Sequence, residues 1–106
     1  MKAPKVSSGR KSKHPEKDLF KVIATIQSAD EAKRFFQDLC TPTEIQAMAD
    51  RWQVVASIKA GKPYRQIYEE TGVSVTTVGR VARSLSLGEG GYNLIYERLE
   101  KNQHEK

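Results

Sequence analysis

The sequence predicts an all-α protein built around a helix-turn-helix. Three observations lead there. Apolar residues recur at three- and four-residue steps in segment after segment. Helix-start residues and glycine stops bracket those segments. No useful stretch alternates apolar and polar residues as a strand would.

The elements follow in order. Residues 1–14 hold Lys2, Lys5, Arg10, Lys11 and Lys13 with almost no large apolar side chain, so a disordered basic arm is expected, able to touch phosphates or simply to solubilise. A first helix is expected from Pro15 to about Gln27, with Leu19, Val22, Ile23 and Ile26 on one face. Ser28 and Glu31 form a capping box for a second helix carrying Ala32, Phe35, Phe36 and Leu39. Thr41-Pro42-Thr43-Glu44 places a cap, a first-turn proline and an N3 acid in register. Ile45, Met48, Trp52, Val55 and Ile58 then predict one helix of about four turns, stopped at Gly61 by a left-handed cap. Trp52 is expected in the core, not as a ligand platform. Two short helices follow, about Pro63–Thr71 and Ser74–Leu87. After the glycines at 88, 90 and 91 comes a last helix with Tyr92, Ile95, Tyr96 and Leu99 in a stripe. The expected organisation is an arm at 1–14, one helical domain at 15–102 and a tail at 103–106.

Composition narrows the function. The chain has 106 residues, enough for one domain, and a net charge of +5. Five of the 18 basic residues lie in residues 1–14, whereas all 13 acidic residues lie beyond Pro15, so the body is neutral. The basic bias belongs to the arm and says little about the body's partner. Only 38% of residues are hydrophobic, thin for a small monomer that must also bury several apolar stripes. An obligate homodimer would supply the missing cover. Cys40 stands alone without metal-ligand spacing around it, so neither a disulfide nor a metal site is expected. No apolar run could span a bilayer, and no apolar core follows the basic N-terminus; the cytoplasm is the expected location, without a membrane partner. The two histidines fall in the expected tails, and no nucleophile–base pair, paired-carboxylate site or phosphate loop appears. An enzyme is not expected, and no cofactor is called for.

The segment Tyr64–Leu85 carries the function. Gly72 tolerates the positive φ that a tight helix–helix turn demands. Ile67, Val73, Val78 and Val81 are spaced to wedge the two helices apart, and Ser74 caps the second. That leaves Ser74, Thr76, Thr77, Arg80 and Arg83 facing outward. Short hydroxyls near a helix start suit phosphates and base edges, and arginine can fork onto guanine in the major groove. Gly79 would let the helix lie close to the groove wall. Lys62, Arg65 and Gln66 sit at the start of the preceding helix, where phosphate contacts usually fall. Tyr68 occupies a place where a small residue usually faces the second helix, so it must tilt out or the helices must separate.

Taken together, Leu39-Cys40-Thr41-Pro42-Thr43-Glu44-Ile45, Arg51-Trp52-Gln53-Val54-Val55, Gly61, and Glu70-Thr71-Gly72-Val73-Ser74 through Arg80 and Ser84-Leu85 resemble the Trp repressor superfamily, and within it the YerC/YecD group of Trp-repressor-related proteins. The resemblance spans about Leu19–Leu99. It implies a Trp repressor-like subunit of six helices, an intertwined dimer and two reading heads addressing successive major grooves. It also implies a ligand pocket: the arginines that sandwich the corepressor's indole ring correspond to Arg51 and Arg80, and a serine near the ligand's amino group to Ser84. The glycine that leaves room beside the ring is replaced by Val81, whose side chain is expected to fill that space. The expected function is therefore sequence-specific binding of double-stranded DNA by a transcriptional regulator independent of tryptophan. A repressor gated by another amino-acid or indole-like corepressor, and a protein-interaction module without DNA affinity, are the alternatives.

Overall fold

The computed structural model describes residues 11–104, and those residues form seven helices and no strand. They pack as two compact units that divide after Leu39. No helix among them is long and apolar enough to cross a membrane.

The first unit holds α1 (Pro15–Ile23) and α2 (Ala29–Leu39). Ahead of α1, Ser12 accepts the His14 N–H and donates its own proton to Asp18. The rest of the expected arm, residues 1–10, lies outside the described residues, as do 105 and 106 of the expected tail. α1 stops four residues short of expectation. The Thr25 hydroxyl donates to the Val22 carbonyl at 2.7 Å, and the Thr25 and Ile26 amides reach back only three residues. A local side-chain bond of this kind competes with helix continuation. At α2 the Ser28 hydroxyl accepts the Glu31 amide at 3.1 Å as expected, but the Glu31 carboxylate takes the Gln27 N–H at 2.9 Å, one residue before its reciprocal partner. Phe35 and Phe36 meet edge-to-face at 5.5 Å. No residue of either helix is fully buried.

The second unit holds α3 (Pro42–Gln53), α4 (Val55–Lys59), α5 (Tyr64–Thr71), α6 (Val75–Leu87) and α7 (Gly91–His104). The box at Thr41 forms in full: its hydroxyl accepts the Glu44 amide at 3.1 Å, and the Glu44 carboxylate accepts the Thr41 amide at 2.7 Å. These bonds to the charged form hold the Glu44 carboxyl below its ordinary range.

The single long helix expected across Val54 is broken there into α3 and α4, which makes seven helices among the described residues where six were expected. Val54 and Val55 are both fully buried. Neighbours on a straight helix point about 100° apart. The break rotates α4 so that both β-branched side chains turn inward. Gly61, at φ +81, closes α4 as expected, with Gly61 N–H on Ile58 O and Lys62 N–H on Ser57 O. The core is Val54, Val55, Ile67, Val73, Val78 and Val81, backed by half-buried Trp52, Ile58, Leu85, Tyr92 and Tyr96. The stripe expected on α7 divides: Tyr92 and Tyr96 pack on this core, whereas Ile95 and Leu99 stay exposed beside Leu94.

Candidate nucleic-acid interface

α5 and α6 pack on each other across the turn Gly72–Val73–Ser74. Gly72 adopts φ +78 and ends α5 by donating its N–H to Tyr68 O at 2.8 Å. The Thr71 hydroxyl donates to Ile67 O and accepts the Val73 N–H, which fixes the path out of the helix. Val73 drops into the core with Ile67, Val78 and Val81. All four residues expected to wedge the pair are thus where the spacing put them. Tyr68 resolves its crowding by tilting out, 51% exposed.

Ser74 caps α6 by accepting the Thr77 N–H at 3.1 Å, and its hydroxyl donates to Thr77 Oγ1 at 3.1 Å. Its single proton is thereby used inside the protein. The Thr77 hydroxyl keeps its own proton to donate, although its side chain is half-buried rather than fully outward. Thr76, Arg80 and Arg83 are exposed, and neither arginine has a hydrogen-bond or ion-pair partner among the described residues. Gly79 is half-buried beside α5, where a Cβ built on it would meet Tyr64 Cε2 at 3.8 Å, an ordinary contact. Three residues after Thr76 and four before Arg83, it lies on the same side of α6 as those two.

On α5, Arg65 is exposed and has no hydrogen-bond or ion-pair partner among the described residues. Lys62 and Gln66 are held by one carboxylate, a grouping the sequence reading missed. Glu70 Oε1 accepts from Lys62 Nζ at 2.9 Å and Oε2 from Gln66 Nε2 at 2.9 Å. The Lys62 bond first, then Gln66, keeps the Glu70 carboxyl below its ordinary range. The Gln66–Glu70 half was legible as an i, i+4 pair; Lys62 lies before the helix and needed the fold.

The residues implied as a ligand pocket are dispersed in character. Arg51, on α3, and Ser84 are half-buried, and Arg80 is exposed. Val81 is 1% exposed, its side chain spent in the core.

Seven helices, with a buried valine-rich centre and a tightly turned α5–α6 pair, define an all-α protein of the Trp repressor-like fold. The chain belongs to the Trp repressor family: the model for the Trp repressor protein matches residues 16–100. It is 38% identical over 87 residues to the uncharacterized protein YerC of Bacillus subtilis (strain 168), covering 82% of this chain and 84% of that one. Among solved structures it is similar to a TrpR-like protein from Eubacterium eligens ATCC 27750, with a TM-score of 0.77 and 38% identity over 82% of this chain and 90% of that one. A Staphylococcus aureus protein described as a candidate Trp repressor superposes with a TM-score of 0.74 at 42% identity, covering 79% of this chain and 84% of the other.

Proposed function

We propose that this protein is a sequence-specific DNA-binding transcriptional regulator, acting in the cytoplasm as a homodimer and needing no tryptophan. The observation that carries the reading is the α5–α6 pair. Its inner residues are fully committed to the core, while Thr76, Arg80 and Arg83 stand exposed and the two arginines have no partner among the described residues. In this reading α6 enters the major groove and Arg80 and Arg83 meet base edges. Arg65 and the Thr77 hydroxyl, whose own proton is uncommitted, meet phosphates; Ser74 shapes the helix start. Lys62 and Gln66 reach phosphate only by leaving Glu70. Family membership supports a regulator rather than an enzyme.

The dimer is supported by apolar side chains that the single chain leaves open: Phe20, Leu39, Leu94, Ile95 and Leu99. A second copy covering them would complete one domain over 15–102. Independence from tryptophan is supported by Val81, whose buried methyl groups occupy the place where the family's pocket has glycine. A corepressor of other shape is favoured by one observation, the half-buried Arg51 on α3, a helix that packs against α6; this arginine has no partner among the described residues.

Selection of genomic fragments by the purified protein, followed by binding titrations at several salt concentrations, tests the reading. A recovered common site is expected, bound far more tightly than random duplex. Arg80→Ala and Arg83→Ala should each cost roughly 1–3 kcal/mol on that site. Equal losses on random DNA would assign them to phosphates. Absence of any salt-dependent binding would leave the protein-interaction module standing. A melting temperature raised by L-tryptophan or an indole would favour the gated repressor.

A further inference from the structure

The chain leaves α6 and reverses within three residues to begin α7. Gly88 has no room for a side chain, since a Cβ there would lie 2.5 Å from the Ser84 carbonyl oxygen. Gly90 adopts φ +83. This corner brings α7 back onto α4 and α6.

Two residues into α7, half-buried Asn93 uses both ends of its amide. Oδ1 accepts from Lys59 Nζ, at the end of α4, at 2.6 Å. Nδ2 donates to the carbonyl of Leu85, in the last turn of α6, at 3.3 Å. Carbonyls in the last turn of a helix lack intrahelical donors, so a side-chain donor there both satisfies a polar group and ties down the helix end. The Lys59 ammonium also lies 5.2 Å from the centre of the Tyr96 ring. One planar group with a donor and an acceptor thus joins α4, α6 and α7. An aspartate would lack the donor, and an alanine both functions.

We propose that Asn93 is a positioning residue for α6, holding the orientation of the helix from its C-terminal end by an internal bond instead of by a bound effector. The proposal rests on the reading of α6 as the DNA-contacting helix. It assigns α7 a part in DNA recognition that acts through α6.

Three variants separate the two bonds. Asn93→Asp keeps the acceptor for Lys59 and loses the donor to Leu85. Asn93→Ala loses both without adding charge. Lys59→Met keeps the donor to Leu85. Amide hydrogen exchange along α6 in the free protein, and dissociation constants on the selected site and on random duplex, are measured where each variant is folded. Asn93→Asp and Asn93→Ala should each speed exchange at the C-terminal end of α6 and weaken binding to the selected site by about three- to tenfold, the effect of one net hydrogen bond. Binding to random duplex and the salt dependence of Asn93→Ala should not change. Lys59→Met should exchange as the parent does. Unchanged exchange in Asn93→Ala overturns the proposal. So does a lowered melting temperature with the ratio of specific to random binding intact, which marks a purely structural bond. A loss confined to Asn93→Asp marks an effect of charge and overturns it as well. If the parent binds no duplex, the DNA reading fails, and exchange in Asn93→Ala still decides whether this side chain holds α6.

Discussion

The two units of this chain have similar apolar patterning and opposite outcomes. α1 and α2 carry Leu19, Val22, Ile23, Phe35 and Phe36, yet bury none of them fully. α4 to α6 carry smaller side chains, mostly valines, and bury Val55, Ile67, Val78 and Val81 almost completely. Side-chain size does not decide burial; the number of packing directions does. α5 and α6 are joined by a tight turn and backed by α4, so each inward methyl group meets neighbours on several sides. A pair of helices alone has one shared seam, and its wider apolar faces stay open until another surface arrives. The α5–α6 pair therefore completes its core within one chain, while the flanking helices leave the apolar faces on which the proposed dimer rests.

That contrast can be broken or sharpened by substitution, from the largest effect to the smallest. Ile67→Ala should lower stability by about 2–5 kcal/mol, because it empties the centre of the complete core. Urea unfolding at several protein concentrations reads it; a loss below about 1 kcal/mol would mean the head relaxes freely. Val81→Gly should cost about 1–2 kcal/mol of burial plus about 0.5–1 kcal/mol of helix propensity. Calorimetry should show no tryptophan binding to the parent protein, and saturable micromolar binding would overturn the role given to Val81. Leu99→Ala tests the other region. An isolated exposed residue would change stability by less than about 0.5 kcal/mol. If a second copy covers it, the loss is about 1–2 kcal/mol and the unfolding midpoint depends on protein concentration. Sedimentation of the parent as a folded monomer at micromolar concentration would end the comparison.

Two smaller effects follow. Gly79→Ala should stabilise by about 0.5–1 kcal/mol, since the new methyl group meets Tyr64 at 3.8 Å, an ordinary contact, and a mid-helix glycine is removed. DNA affinity should drop if Gly79 lies at the groove wall, as its place between Thr76 and Arg83 suggests; unchanged affinity would mean that only α5 meets that flank. Last, Glu44 and Glu70 both have carboxyls held below the ordinary value of 4.5. Their contribution is full above that value and is lost as pH falls through their lowered folded values. Both are exposed, so the acid limb should be shallow. Thr41→Ala combined with Lys62→Met should flatten it, as acid titration of the melting temperature would show.

Much of this was legible in the sequence where the signal is local. The Thr41–Glu44 box, the turn at Gly72 and the cap at Ser74 each depend on residues within a few positions, and each forms. The wedge of Ile67, Val73, Val78 and Val81 follows from helical spacing once the turn is placed. Reading failed where a bond or a break answers to distant packing. The helix across Val54 looked continuous because its stripe is regular, and only packing shows that both valines must turn in. Lys62 looked free because its acceptor lies eight residues on, and nothing local marks Asn93, whose partners lie on two other helices. In α7 the stripe was real, but periodicity cannot say which of its residues pack on this chain's core and which stay exposed.

Trp52 is the chain's single tryptophan, and its indole stacks on the Tyr92 ring with centroids 6.3 Å apart and planes inclined by 29°. One ring belongs to α3 and the other to α7, so the pair spans a seam between elements distant in the chain. The protein thereby carries its own optical label at that seam. Excitation confined to the indole returns light from one place in the fold, and the neighbouring phenol can hand its excitation to that same indole. Any event that lifts α7 from α3 alters the colour and the polarisation of the emission together, so the attachment of α7 can be followed in the unmodified protein.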